Sequence, residues 1–312
     1  MTVRPFDWRD LPALNRFRTQ SVFLDSALLL TRGQLMVPGA VFSFMAPAMG
    51  VFTCVYNDVE VGTAPIFGQF IHFSGSPFSH LTFLTPDKAL QDPSVPALVE
   101  YMMTLSGDRG ALRLLAEVDE NAEAFEALRR CSFVIYSRQR IWRLIKPKQR
   151  KSRQKTWRSA ISRDATAIRS LYYNLVPGLV QQIEPLASKQ PSGLVYFENN
   201  NLLAYIELKY GHCGIWVQPF FHPDAQDVPV YLLDLLLRIP IKQTRPVYIC
   251  IRSYQSWLEP AIEDLGAEPG ERQAVMAKQL VAPIKATKPI KLSSLETGQA
   301  EITAPMTHIK LK

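Results

Sequence analysis

The chain has 312 residues, 47% of them apolar and 20% charged, which excludes a disordered or fibrous protein and is enough for two folded bodies of about 140 residues. The formal charge of +7 belongs to neither body: residues 1–145 hold 13 Lys/Arg against 14 Asp/Glu, and residues 156–282 hold 11 against 12. The excess lies in 146–155, with six basic residues and no acid, and in 283–312. These are linker and tail compositions, so neither body presents the basic face that nucleic acid requires.

In chain order, Val3 to Phe6 reads as a strand, and Asp10 then caps a helix carrying Leu11, Leu14 and Phe17 at helical spacing. A second helix is predicted over Ser21–Leu35, followed by buried strand and loop from Ala40 to Tyr56. In that stretch Phe42, Phe44, Phe52, Tyr56 and, further on, Phe70 are expected in the core. A hairpin turns at Asn57 and Asp58, residues that tolerate a left-handed backbone. Next come a strand from Ser79 to Thr85, a helix from Asp92 to Leu105, a strand from Leu112 to Val118, a helix from Ala122 to Arg130 and a closing strand from Val134 to Leu144. The second body repeats this order, with a strand at Trp157–Ile161, a helix at Ala165–Tyr173 and a hairpin about Asn199–Asn201. Strands at Gly214–Val217, Val247–Arg252 and Ala274–Leu280 then alternate with helices at Val230–Leu237 and Trp257–Leu265. A repeat of this length is a duplicated domain, not a solenoid unit.

Four widely spaced cysteines without a CxxC pair point to a reducing, cytoplasmic setting, and the charged N-terminal segment does not read as an export signal. The most apolar stretch is broken by Pro47 and Gly50 and is too short to span a bilayer, so no membrane is expected. The five histidines show no ligand spacing, and no metal is expected.

The repeated unit resembles the GNAT superfamily of acyl-CoA-dependent N-acyltransferases, over both halves of the chain outside linker and tail. The opening Val3 to Leu14 and the run Val118-Asp-Glu-Asn121, helix, Cys131-Ser-Phe133 carry the likeness, and Gln255 stands in the second half where Asn121 stands in the first. The resemblance implies an α/β (α+β) protein of two tandem domains, 1–145 and 156–282, joined by a basic linker at 146–155 and followed by a flexible tail at 283–312. Each domain would have a mixed, mostly antiparallel central sheet flanked by helices. It implies acetyl-CoA or another acyl-CoA as co-substrate, its pantetheine arm paired with the backbone at Leu84 and Thr85 and near Asn121, and a small amine as acceptor. Glu117, His80 and Tyr136 are the candidates for handling the proton of the attacking amine. In the family a glycine-rich basic loop holds the pyrophosphate at a helix N-terminus. Here the equivalent segments, 86–96 and 219–229, contain no glycine but several prolines and aspartates, and Asp92 and Asp227 read as helix caps. Leu128 and Ile262 stand where many members have the tyrosine that protonates the leaving thiolate. Two functions therefore stand: transfer of an acyl group to an amine, and a non-catalytic scaffold or ligand-binding protein of the same fold. Contact of the linker with nucleic acid is a third and weaker option.

Overall fold

The computed structural model describes residues 2–57, 64–145, 157–186, 192–225, 227–238 and 245–280. The second residue of the Asn57–Asp58 turn, the basic linker and the tail lie outside them. In the first half the elements are β1 (Thr2–Pro5), α1 (Leu11–Arg16), β2 (Val22–Phe23), α2 (Ser26–Arg32), α3 (Met36–Met45), β3 (Val51–Asn57), β4 (Ile66–His72), β5 (Phe78–Thr85), α4 (Val95–Gly107), β6 (Arg113–Asp119), α5 (Glu123–Arg130) and β7 (Val134–Leu144). The second half contains β8 (Arg158–Ser159), α6 (Ala165–Leu175), α7 (Gly178–Ile183), β9 (Gly193–Glu198), β10 (Asn201–Tyr210), β11 (Ile215–Phe221), α8 (Val228–Arg238), β12 (Val247–Arg252), α9 (Glu259–Asp264) and β13 (Glu268–Gln279).

The chain opens differently from its sequence pattern. Asp10 does not cap α1 with its side chain: its carboxylate accepts the Asp7 N–H and a fork from Arg4 at 2.7 Å, while Asp7 caps the short 3-10 turn before α1. The same device recurs six residues apart in the second half, where Arg158 forks onto Asp164 at 2.6 and 2.7 Å and Asp164 takes the Ile161 N–H. The predicted second helix is divided. Val22 and Phe23 form a strand, Asp25 caps α2 by accepting the Leu28 N–H, and Gly33, at a φ of 78°, ends it.

Met36–Met45 is helical, although buried strand and loop was predicted from Ala40 onward, and α3 lies bent by 103° from α2. A run with Ser43 as its one polar side chain has too little period to separate helix from strand, and packing decides. Gly39 lets the helix settle on the sheet, since a Cβ there would meet the Gln69 amide at 2.6 Å. Phe42 and Phe44 are consequently exposed, at 44% and 51%, where the core was expected.

Among the described residues one thirteen-stranded sheet runs in the order β1-β3-β4-β5-β6-β13-β7-β12-β11-β10-β9-β8, with β2 attached to β5. All pairings are antiparallel except β5 with β6 and β11 with β12, whose crossovers contain α4 and α8. The last strand of each half is exchanged: β13 lies between β6 and β7, and β7 joins β12. Gln139 and Gln273, each the sixth residue of its strand, face one another at this seam, and Gln139 Nε2 donates to Gln273 Oε1 at 2.9 Å. Equivalent positions meeting in this way are the mark of a local two-fold axis. Residues 1–280 form one compact unit.

The core follows the exchange. One cluster packs α4 and α5 on the first half of the sheet, and another packs α8 and α9 on the second. A third joins Leu115, Tyr136 and Val275 to Ile168, Leu171, Val180 and Ile183, so α6 and α7 cover the seam strands.

Candidate functional site

A cavity of about 490 Å³ lies where the two halves meet. The first half contributes Asp25, the cap of α2, Leu28 of α2, Phe42 of α3, Ile71 of β4, His80 of β5 and Glu117 of β6. The second contributes Glu184, Glu207 and Lys209 of β10, Trp216 and Gln218 of β11, and Arg252 of β12. The meeting place is fixed by close backbone contact, since a Cβ on Gly211 would stand 2.0 Å from the Thr31 carbonyl of α2, which also accepts the Cys213 N–H.

Two charged groups form its polar side. Arg252, 5% exposed at the end of β12, donates through Nη2 to both oxygens of Glu184 at 3.1 and 3.2 Å, and the Tyr136 hydroxyl also donates to Glu184. Burial pushes the Glu184 carboxyl up, but Arg252, the Tyr136 bond and His80 outweigh it, and the carboxyl lies below its ordinary value. Burial and the neighbouring carboxylate hold the Tyr136 phenol well above its own. The second group is Lys209, 3.5 Å from Glu207. Glu207, joined by Asp25 and Glu117, raises the ammonium against the opposing effect of burial. Glu117 Oε2 also accepts the Ser26 N–H at 3.0 Å. Below them Trp216 is 2% exposed, and its indole N–H has no acceptor among the described residues; Arg252 Nε and Nη1 have none either.

The sequence candidates separate here. Glu117 and His80 both line the cavity. Tyr136 stands behind it, joined through Glu184. Asn121 is exposed in the turn after β6. Leu84 and Thr85 do not offer the free edge that a pantetheine arm requires. β5 and β6 pair from Phe78↔Arg113 to His80↔Leu115 and then part, and β2 enters the wedge between them. Leu84 pairs with Val22 on one side and Gly68 on the other. Leu24 bridges the wedge, its N–H donating to the Thr82 carbonyl at 2.9 Å and its carbonyl accepting the Glu117 N–H at 2.8 Å. Thr85 Oγ1 is taken up by Gln20 and Phe17 carbonyls and by Ser21.

The second wedge, between β11 and β12 beyond Val217↔Ile249, is closed by a side chain: Gln255, 1% exposed, accepts the Phe221 N–H at 3.1 Å and donates to the Pro219 carbonyl at 2.8 Å. At the start of α4 the Ser94 N–H and hydroxyl are taken by Asp92, so a carboxylate fills the place of a phosphate.

Sequence reasoning missed Glu184, Glu207, Lys209 and Arg252. Glu207 and Lys209 are two apart on a strand and so share a face, and Arg252 ends an apolar run; both are signals of inward charge. Nothing local announces Glu184, which reaches Arg252 across 68 residues.

No group of three or more side chains suited to a metal ion occurs among the described residues. No single helix among them is long and apolar enough to cross a membrane. No family model and no curated protein matches the sequence. Solved structures do match. A GCN5-related N-acetyltransferase from Sphaerobacter thermophilus is 9% identical with a TM-score of 0.54, over 89% of this chain and 95% of that one. A tandem GNAT protein from the clavulanic acid biosynthesis pathway is 13% identical with a TM-score of 0.49, over 89% and 98%. A putative acetyltransferase from Pyrococcus horikoshii is 12% identical, also at 0.49, over 89% of each. Carried by the Sphaerobacter protein and by the strand order and wedges described above, the likeness is one of fold, and the fold of this chain is that of the GNAT superfamily.

Proposed function

We propose that this protein binds a small amine in the cavity between its halves and does not use the CoA wedges of its fold. The observation that carries the reading is the bridge at Leu24, which joins Thr82 to Glu117 across the first wedge with backbone bonds of 2.9 and 2.8 Å. Gln255 supports it in the second wedge, and the absence of glycine from 86–96 and 219–229 removes the pyrophosphate cradle. We divide the chain as the repeat suggests, into halves 1–145 and 156–282, and assign it to a reducing cytoplasmic compartment, which the four free thiols support.

Calorimetry of the full chain with acetyl-CoA is the test. No heat is expected at millimolar ligand, and a dissociation constant in the micromolar range would sink the reading.

A second reading keeps acyl transfer, and a specific observation favours it: Glu117 and His80 line the cavity that would hold the amine, and β2 is only two residues long. If an acyl-CoA displaced β2, the amine nitrogen would attack the thioester carbonyl, Glu117 would take the amine proton, and the CoA thiolate would leave. Steady release of free thiol from acetyl-CoA, dependent on added amine, would establish this second reading.

A further inference from the structure

We infer that the amine held in this cavity also carries a carboxylate, which completes the guanidinium of Arg252, so that the ligand is an amino acid. The inference rests on the reading that the cavity binds an amine, and it names the second group that the site takes. Arg252 is the reason. Its side chain is 6% exposed and lines the cavity, yet only Nη2 has a partner, Glu184, while Nε and Nη1 have none among the described residues. Elsewhere in the fold Arg4 and Arg158, with side chains 38% and 45% exposed, set both Nη nitrogens on a carboxylate. The most buried of these three guanidiniums is thus the least satisfied, the reverse of what desolvation asks. Glu184 is itself shared, since its Oε1 also accepts the Tyr136 hydroxyl. A bond through Nη2 alone lets the guanidinium turn about it, and a carboxylate arriving from the cavity can then take Nη1 as well, in a fork.

The neighbouring strand β11 adds the buried indole N–H of Trp216, also without an acceptor among the described residues. The wall presented by β11 and β12 is therefore one of donors, and donors ask for an acceptor, not for a cation. Carboxylates stand on the side of the first half, where Asp25 and Glu117 each hold a backbone N–H of α2 through one oxygen. An amine that also carries a carboxylate meets both sides at once. Its two charges cancel, so it leaves the balance of the cavity as it is, whichever charge His80 carries. Leu28, Ile71, Phe78 and Phe220 supply apolar lining, and about 490 Å³ leaves room for a side chain as well as the two charged ends.

Calorimetry of the full chain compares L-phenylalanine with 2-phenylethylamine, which lacks the carboxylate, and with 3-phenylpropanoate, which lacks the amine. A second set of 6-aminohexanoate, hexylamine and hexanoate repeats the comparison with the two charges further apart. In at least one set the amino acid is expected to bind at least about tenfold tighter than either relative, the effect of a charge-assisted hydrogen bond to a buried group. Arg252→Lys keeps a cation for Glu184 and removes the fork, and it should bring the amino acid of that set to within about threefold of its amine. A thermal melt establishes that this variant folds, and the comparison on the parent chain decides the matter where it does not. An amine that binds as tightly as its amino acid in both sets overturns the inference and leaves the amine reading standing. A preference for the amino acid that survives unchanged in Arg252→Lys also overturns it. An acid as tight as its amino acid in both sets, or no binding of any probe, removes the inference and the amine reading together.

Discussion

Arg252 and Glu184, both of the second half, form one buried pair that the first half reaches through the Tyr136 hydroxyl, which also donates to Glu184. The guanidinium is nearly sealed from solvent and Glu184 is its carboxylate partner, so Glu184→Gln should cost about 3–5 kcal/mol, the penalty for leaving a buried charge alone. The pH dependence follows from the direction of the shift. The carboxyl is lowered in the folded state from its ordinary 4.5, so its contribution is present above that value and is lost as pH falls through the folded value. Thermal midpoints measured between about pH 3 and 7 should fall on the acid side in the parent and fall less steeply in Glu184→Gln. An equal slope in both would show that Glu184 is not the group that titrates. Gln255 offers a second check. Gln255→Leu keeps the volume but leaves the Phe221 N–H and Pro219 carbonyl buried and unbonded, at about 1–3 kcal/mol for each group, measurable as a lowered urea midpoint. Glu117 and His80, named from the resemblance by their places on the strand before Asn121 and the strand ending at Thr85, both line the cavity. Leu84 and Thr85 were misjudged because whether a strand edge is free depends on what else lies beside it, and β2 is too short to leave a pattern.

At the level of elements, β2 is the piece on which the functional reading turns. A two-residue strand in isolation would fray, but here three backbone bonds beyond its pairing hold the segment: Leu24 N–H to Thr82, Glu117 N–H to Leu24 and Asp87 N–H to Gln20, at 2.7–2.9 Å. Hydrogen exchange should find the Leu24 and Glu117 amides as protected as those of the central strands. Exchange at the rate of a loop would mean that β2 is a loose plug, and would favour acyl transfer in an opened wedge. The helices flanking it divide according to local signals. α2 has its Asp25 cap and its Gly33 stop in the sequence, so its ends could have been read more closely than they were. α3 has neither, and it is seated on the sheet through Met36 and Ala40, buried with Val55, Phe67 and Phe83, and through the close approach of Gly39 to Gln69. Its position exposes Phe42 at the cavity mouth, which no sequence period indicates.

For the whole molecule, the strand exchange makes the two halves dependent on each other. Without β13, β6 has no antiparallel neighbour on that side, and without β12, β7 loses its outer partner. The fragment 1–145 is therefore expected to lack a cooperative melt when expressed alone and to gain one when 156–282 is co-expressed; a cooperative transition in the isolated fragment would count against this. The full chain should unfold in a single transition, since α6 and α7 share a core with the seam strands. By itself the sequence determined the duplicated order of strands and helices, the near-neutral charge of both halves and the loss of the glycine loops, because each is written in local composition, spacing and period. Only the tertiary structure decided that the last strands are exchanged, that the wedges are closed by Leu24 and Gln255, and that Glu117 and His80 face Glu207, Lys209 and Arg252 across one cavity. Those facts rest on contacts between residues far apart in the chain, for which hydrophobic period and capping signals carry no information.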